Sequence, residues 1–561
     1  MPCKNEILSN DYADLIIDFI LSGDLLGMPK PSYCYEALDD EFGFAYINRS
    51  ESPAITIGSY SYGAIPKLYG LMQTFNAENL VEMGNLRIQN PPLSLQGNGV
   101  IIGFIDTGIR YQDEAFLDES GNSRILSIWD QTIQTGTSPE GFSYGTEYLR
   151  EEINLALQSE NPLQIVPSTD ENGHGTALVS AAAGSILEQG IAFRGAAPRA
   201  DIVMVKLKPA KEYLREFYLV AEDATAYQEN DIMQAVKYLA DMAVAFQRPV
   251  VIVLGIGTNQ GNHMGASPLG FYLNKVASRR SVAILVCGGN EGDKEHHYSG
   301  TVTDRIEIRV GEDTSGFCME LWNSQVELFN VAIRSPGGEM TSAIDFQSGF
   351  DREFSFIFDR TRIYVGILLV EQNSGEQLVF FRFRNPSPGI WTIVLSPSVT
   401  TQIQGNGQLH MWLPITEFID GEVQFLRPDP NVTLTEPANV ERVITISAYN
   451  GSTGGWYPPS GRGFTKNGRV KPELCAPGVN VSSAVGIRSG SSMAVSLAAG
   501  CVAQFMEWAI VERNAPLIDS QTIKSYFIRG AVRSNEIPYP DEQWGYGKIN
   551  ISRVFEVLAR V

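Results

Sequence analysis

The 561-residue sequence predicts an α/β protein: a parallel sheet flanked by helices, carrying an inserted antiparallel β-sandwich of jelly-roll type and preceded by a small N-terminal segment. Two textures and their order predict it. From about residue 98 to 290, apolar runs alternate with helical stretches, the pattern of parallel strands covered on both faces. From about 294 to 437 the texture changes to short alternating segments punctuated by Gly, Pro, Asn and Ser, the pattern of antiparallel strands and turns. The first texture resumes at RVITISAYN. The β-rich block is therefore read as an insertion, 294–437, within one domain built from 74–293 and 438–561, with 1–73 standing apart.

At the N-terminus, MPCKNEILSNDYADLIIDFILSGDLLG is apolar but broken by Asp11, Asp14, Asp18 and Asp24. A secretory signal needs a basic start and an unbroken apolar centre, so neither a signal nor a membrane span is expected. The spacing of Leu15, Ile16, Phe19 and Ile20 predicts one face of a short amphipathic helix. In the main domain GVIIGFID (99–106), DIVMVKLK (201–208), PVVIVLGIG (249–257) and VAILVCGGN (282–290) are expected as buried strands. HGTALVSAAAGSILEQG and DIMQAVKYLADMAVAFQ are expected as helices, the second with apolar residues at helical spacing, and a further long helix is expected from Ser491 to about Val511. In the insert, RIEIRV, FSFIFD, RIYVGILLV, LVFFRFR and WTIVLS are expected as strands.

Composition narrows the function classes. A formal net charge of −22 argues against binding nucleic acid or an anionic membrane, both of which need clustered Lys and Arg. The six cysteines (Cys3, Cys34, Cys287, Cys318, Cys475, Cys501) show neither CxxC pairs nor metal-ligand spacing, so free structural thiols in a reducing compartment are expected. No loop is dense enough in carboxylates to name a calcium site, and neither a metal nor a cofactor is expected. His263, His296, His297 and His410 are read as polar loop or packing residues.

Three separated motifs carry chemistry. In FIDTGI, Asp106 ends a buried strand at the sheet edge where open α/β folds place a ligand crevice, although an Asp there is commonly only a turn former. In ENGHGTALVSAAAG, Gly173 and Gly175 flank His174 at the start of a small-residue helix, where an imidazole stays accessible. In SGSSMAVSLAAG, a turn delivers Ser492 to the start of another such helix; its hydroxyl becomes a nucleophile only beside a base.

Taken in order, D-T-G, H-G-T and G-S-S-M-A resemble the subtilisin (subtilase) family of serine proteases, whose Asp, His, Ser order is well known. GAAPRADIVMVKLK, GRVKPELCAPGVNVSSA and WGYGKIN resemble further segments of that family, over residues 75–293 and 438–561. The resemblance implies a subtilisin-like sheet, a triad of Asp106, His174 and Ser492, and an oxyanion hole made by Asn290 and the Ser492 backbone N–H. It implies substrate binding along Leu254, Gly255, Ile256 and Gly257, with Gly288 and Gly289, by an extended protein or peptide added as a β-strand. Ser491 and Ser496 depart from the usual Thr and Pro without removing a reacting group.

A short N-terminal segment without a signal, the run GNEGDKEHHYSG and an insertion directly after it resemble the clostridial Csp-type germination proteases, which process the zymogen of a spore cortex-lytic enzyme. That implies a cytoplasmic or spore-associated protein. Residues 1–73 would be a prosegment, cut off at about Gln73–Thr74 and able to stay bound, with Asn76 capping the first helix beyond. The alternative reading is a weak or inactive protease-fold scaffold that binds a partner protein.

Overall fold

The computed structural model describes residues 3–18, 33–72, 94–185, 194–323, 328–345, 350–398 and 408–560. Gln73, Thr74, Asn76, Phe19 and Ile20 lie outside them. The largest sheet among the described residues has eight strands, in the order Leu474–Pro477, Ile444–Tyr449, Val282–Cys287, Val250–Leu254, Ile101–Asp106, Asp201–Lys206, Ile125–Asp130, Thr146–Leu149. All neighbours are parallel except the last pair.

These strands are Val- and Ile-rich because both faces are covered. Ile102 and Phe104 pack with the helices His174–Ala183 and Ser491–Met506, while Ile101 and Ile105 pack with Glu229–Ala245 and Pro268–Ala277. The stretch Ser491–Val511 is long and apolar enough to cross a bilayer, but 83% of it is buried in the protein, where its small apolar side chains form core. From the central strand Ile101–Asp106 the chain proceeds first toward one edge of the sheet and later toward the other. Its carboxyl end is therefore a switch point, where a crevice opens.

The insert contributes two antiparallel sheets. One has six described strands, His297–Thr301, Gln408–Trp412, Gly316–Asn323, Gln377–Arg384, Thr361–Leu368 and Phe350–Phe356; the other has four, Phe329–Arg334, Gly389–Pro397, Arg305–Val310 and Val423–Phe425. Ile306, Phe317, Ile363, Phe381, Trp391 and Phe425 form a core between them. The outer side of the larger sheet docks on the main domain, with Phe380 stacked on Phe217 at 5.5 Å between centroids. Three of the four histidines given packing roles sit at this junction: His263 stacks on Trp412 at 4.0 Å, and His297 and His410 follow in the same stack.

Two expectations fail in the N-terminal segment. Leu15 and Ile16 lie on a strand, Tyr12–Asp18, paired antiparallel with Phe42–Asn48, and the helix is Lys4–Leu8. Over so few residues apolar spacing does not separate the two states; here Leu15, Ile16 and Ile17 are all buried, which a strand sandwiched on both faces permits. Cys3 and Cys34 form a disulfide, against the reading of six free thiols: Cys3, at the start of the helix Lys4–Leu8, lies at a Cα separation of 5.6 Å from Cys34 on the strand Tyr33–Ala37, 31 residues on. This removes the support that free thiols lent to a reducing compartment. Cys287, Cys318, Cys475 and Cys501 are free and buried.

Candidate active site

Asp106, His174 and Ser492 come from three elements and meet at the switch point. Asp106 ends the central strand, fully buried, and its Oδ1 accepts the Thr107 backbone N–H at 2.7 Å. His174 opens the helix His174–Ala183; its Nδ1 donates to Asp106 Oδ1 at 2.8 Å, with Oδ2 at 3.0 Å. A carboxylate only accepts, so this contact puts the ring proton on Nδ1 and leaves Nε2 as an acceptor. Ser492 stands in the first turn of Ser491–Met506, with its Oγ 3.1 Å from His174 Nε2.

Close approach at this junction demands glycine. A Cβ on Gly255 would lie 2.4 Å from Leu178 Cδ2 and 3.3 Å from His174 Cε1, so a side chain there would displace Leu178 and crowd the imidazole. A Cβ on Gly175 would lie 2.2 Å from the Gly108 carbonyl oxygen, which ties the helix start to the turn after Asp106.

A second buried carboxylate, Asp170, organises the group. It accepts Thr107 Oγ1 at 2.9 Å and the Gly173 N–H at 2.8 Å on one oxygen, and the Thr176 N–H at 2.9 Å and hydroxyl at 2.7 Å on the other. It thereby caps the histidine helix and joins it to the turn beside Asp106. The sequence signal was present, an Asp four residues before a histidine that opens a helix, but local composition does not reveal that its other oxygen reaches Thr107. Burial disfavours the His174 imidazolium. The Asp106 charge and hydrogen bond, with Asp170 and Glu417 further out, outweigh that penalty and hold the ring above its usual 6.5.

Asn290 follows the strand Val282–Cys287 and is oriented by one bond: its Oδ1 accepts the Ser491 N–H at 3.0 Å. Its buried Nδ2 has no partner among the described residues. An uncommitted amide donor therefore faces away from that bond, beside a helix start whose early N–H groups lack intrahelical acceptors. Ser496 donates its hydroxyl to the Ser492 carbonyl at 3.0 Å, satisfying itself where the family's Pro has no such group.

Among the residues expected to bind substrate, Ile256 and Gly257 form a short strand paired antiparallel with Leu71 and Gly70, and the Gly255 carbonyl accepts the Met72 N–H at 3.1 Å. Leu254 ends the core strand with its side chain in the core beneath. Gly288 and Gly289 lie under Thr433–Thr435: the Gly288 carbonyl accepts the Thr435 N–H, and a Cβ on Gly289 would meet Thr435. On its other side the strand Leu68–Leu71 pairs with Tyr227–Gln228. The protein's own chain thus runs along the cleft and reaches the Gly255 carbonyl at Met72.

The insert also reaches this cleft. Glu417 accepts the Leu71 N–H at 3.0 Å. Burial pushes its carboxyl up to about 7, with Glu291 adding to the rise, while the Leu71 and Thr225 amides and His174 pull it down. No motif marks Glu417 in the sequence; its role depends on how the insert docks.

Comparison with known proteins agrees with this geometry. The Subtilase family model matches residues 97–331 and 405–547, more than half of the chain, so the chain belongs to the subtilase family and is classed with its serine endopeptidases. A solved structure, the CspB protease of Clostridium perfringens, is 29% identical with a TM-score of 0.73, covering 84% of this chain and 97% of that one. Two Arabidopsis thaliana subtilisin-like proteases also match. SBT3.6 is 26% identical over 44% of this chain and 32% of its own length, and SBT3.10 is 23% identical over 76% and 56%. The chain thus spans between about a third and just over half of these plant relatives.

Proposed function

We propose that the protein is an active serine endopeptidase that cuts its own N-terminal segment and then performs limited proteolysis of a protein substrate. The observation that carries this reading is the unbroken chain Asp106, His174, Ser492, with hydrogen bonds of 2.8 and 3.1 Å, beside an unpartnered Asn290 amide. Ser492 Oγ attacks the scissile carbonyl carbon while His174 Nε2 takes its proton. The oxygen that becomes negative is met by Asn290 Nδ2 and the Ser492 N–H. His174 returns the proton to the leaving amine, and water then releases the acyl group by the same path reversed. Asp106 holds the imidazole tautomer and stabilises its cation.

Self-processing is supported by the strand Leu68–Leu71, which fills the place of an extended substrate and arrives beside His174 at Met72. A bond close to Gln73–Thr74 then follows within the next residues, with the advantage of an intramolecular reaction. Retention of the cut segment is supported by the buried ion pair between Asp14 and Lys211 at 2.6 Å, across the boundary. The likeness to Csp-type proteases favours a spore cortex-lytic zymogen as the physiological substrate.

A fluorophosphonate probe, which reacts only with an activated hydroxyl, tests the reading. The wild-type protein should be labelled and Ser492→Ala should not, and N-terminal sequencing should find a new terminus between about residues 70 and 80 only in the wild type. Absence of labelling in freshly prepared wild-type protein would favour the scaffold alternative.

A further inference from the structure

We propose that the loop Ile415–Phe418 of the β-insert is a substrate-reading wall: it admits only glycine at the position occupied by Gly70 and anchors the following amide through Glu417. This rests on the protease reading and names a specificity device within it.

The observations converge on one point of the cleft. A Cβ on Gly70 would lie 2.5 Å from Ile415 Cδ1, 3.0 Å from Glu417 Oε2 and 3.1 Å from Phe418 Cε1. Three side chains from one loop close on the same place, Ile415 by overlap and Glu417 and Phe418 by tight contact that limits where Ile415 can move aside. The strand itself is fixed from both edges, by Ile256–Gly257 and by Tyr227–Gln228, and cannot slide away from the loop.

Nor can the loop easily withdraw. Ile415 and Phe418 are buried in the core cluster shared with the main domain. The Thr416 N–H and hydroxyl donate to the Glu291 carboxylate at 3.1 and 3.2 Å, and Glu291, next to Asn290, is also held by His296 at 2.8 Å. The Phe418 carbonyl accepts the Ala221 N–H at 3.0 Å. The wall is thus tied to the main domain through its apolar side chains, through Thr416 and through Phe418, and the Thr416 tie lies beside the candidate oxyanion donor.

The amide anchor has its own logic. An extended chain between two strands offers alternate N–H groups to each neighbour. The Leu71 N–H, which points away from Ile256–Gly257, meets the Glu417 carboxyl at 3.0 Å instead of a neighbouring carbonyl, so a side chain of the insert takes the place of a strand partner. Any substrate that replaces residues 68–72 along the same strands would offer its corresponding amide to Glu417 and its corresponding α-carbon to Ile415 and Phe418.

The test uses the full chain and reads the rate at which the new N-terminus appears. Gly70→Ala should slow self-processing about tenfold or more, since an added methyl overlaps the buried Ile415 side chain, which must shift to admit it. Ile415→Ala in the same chain should recover most of that loss, and Glu417→Ala alone should slow processing while keeping the preference for glycine. In trans, the peptide AIPKLYGLMQTFNAENL should be cut in preference to its Gly→Ala analogue, and Ile415→Ala should shrink that preference. Equal rates for the wild-type and Gly70→Ala chains, or no recovery with Ile415→Ala, overturn the wall; an undiminished rate in Glu417→Ala overturns the anchor. Fluorophosphonate labelling of every chain separates these outcomes from failure of the protease reading, which would appear as unlabelled wild type.

Discussion

The N-terminal segment and the β-insert both press on the catalytic domain beside the cleft, but they are held by different physics. The insert owns a hydrophobic core, Ile306 through Phe425, and docks by an aromatic seam that includes Phe380 on Phe217 and Trp412 stacked on His263 at 4.0 Å. Among its described residues the N-terminal segment has no comparable core of its own. Its apolar residues are shared with the main domain, and polar groups specify the fit. Asp14, fully buried, meets Lys211 Nζ and Gln228 Nε2, both at 2.6 Å, and Asn230 Nδ2 at 3.1 Å, while Tyr213 OH bridges its backbone. Lys67 donates to the Tyr62 and Ile65 carbonyls with Glu229 nearby. The proposed cut, with the segment staying in place afterwards, calls for the second design, because a satisfied buried polar seam keeps its register without chain continuity. The insert enters and leaves through the parent domain and needs no such lock.

Glu320 is one of the places where the two regions meet, the Leu71–Glu417 bond being another. It accepts Tyr62 OH from the N-terminal segment at 2.7 Å, its own strand's Trp322 Nε1 at 3.0 Å and the Gly261 N–H of the main domain at 2.9 Å. Burial raises its carboxyl above the ordinary range, against the pull of those donors and of Lys67. The contrast between the two regions therefore holds for the bulk of each contact but not at this residue, which belongs to both.

The sharpest way to break the comparison is to stop the cut. Ser492→Ala should lower kcat on the order of 10⁶-fold, the size known for subtilisin's own nucleophile, and leave the two regions equally inseparable from the domain. Next in size, Asp14→Ala should strand the Lys211 charge at a cost of about 3–5 kcal/mol and let the severed segment dissociate, seen as its loss on size-exclusion chromatography. Limited proteolysis of the same protein should still fail to release residues 294–437 as a soluble fragment. If the segment stays bound in Asp14→Ala, apolar contact alone holds it and the contrast collapses.

A smaller effect separates both regions from the chemistry. Asn290→Ala should lower kcat by about 10²–10³ with little change in KM, a magnitude taken from the equivalent donor of subtilisin, and should not alter retention of the segment. A rise in KM with unchanged kcat would assign Asn290 to substrate binding instead.

Smallest is a pH effect. His174 must be neutral to act as base, and its pKa lies above 6.5, so activity should rise with pH through a value above 6.5. Asp170→Asn removes a negative charge that favours the imidazolium, so this limb should move to lower pH, by about one unit or less. A limb that stays in place would mean Asp170 acts only as a helix cap.

Much of this was readable in residues. Each strand expected in the main domain is present, because buried parallel strands are continuous apolar runs that few other structures imitate. Asp106, His174 and Ser492 stood out as a set because D-T-G, H-G-T and G-S-S-M-A follow one another in the order of the subtilisin family, while the small residues beside each would not alone have singled it out. The N-terminal strand was misread because so short an apolar cluster has no intrinsic periodicity strong enough to choose its state, and its partner strand decided it.

What the sequence by itself determined is the chemistry on offer: the order of the motifs, the small residues at the two helix starts, and the change of texture from α/β to antiparallel strands and back. Only the tertiary structure decided what surrounds that chemistry. Asp14 and Lys211 are 197 residues apart, and Leu71 and Glu417 are 346 apart. So too the disulfide of Cys3 with Cys34 depends on how the helix Lys4–Leu8 packs against the strand Tyr33–Ala37. Such contacts leave no local pattern, because a hydrogen bond or ion pair between distant segments constrains only two residues and imposes no spacing on their neighbours. Asp106, His174 and Ser492 are also far apart, by 68 and 318 residues, yet they were legible because each sits in a short motif and the order of the three resembles that of a known family.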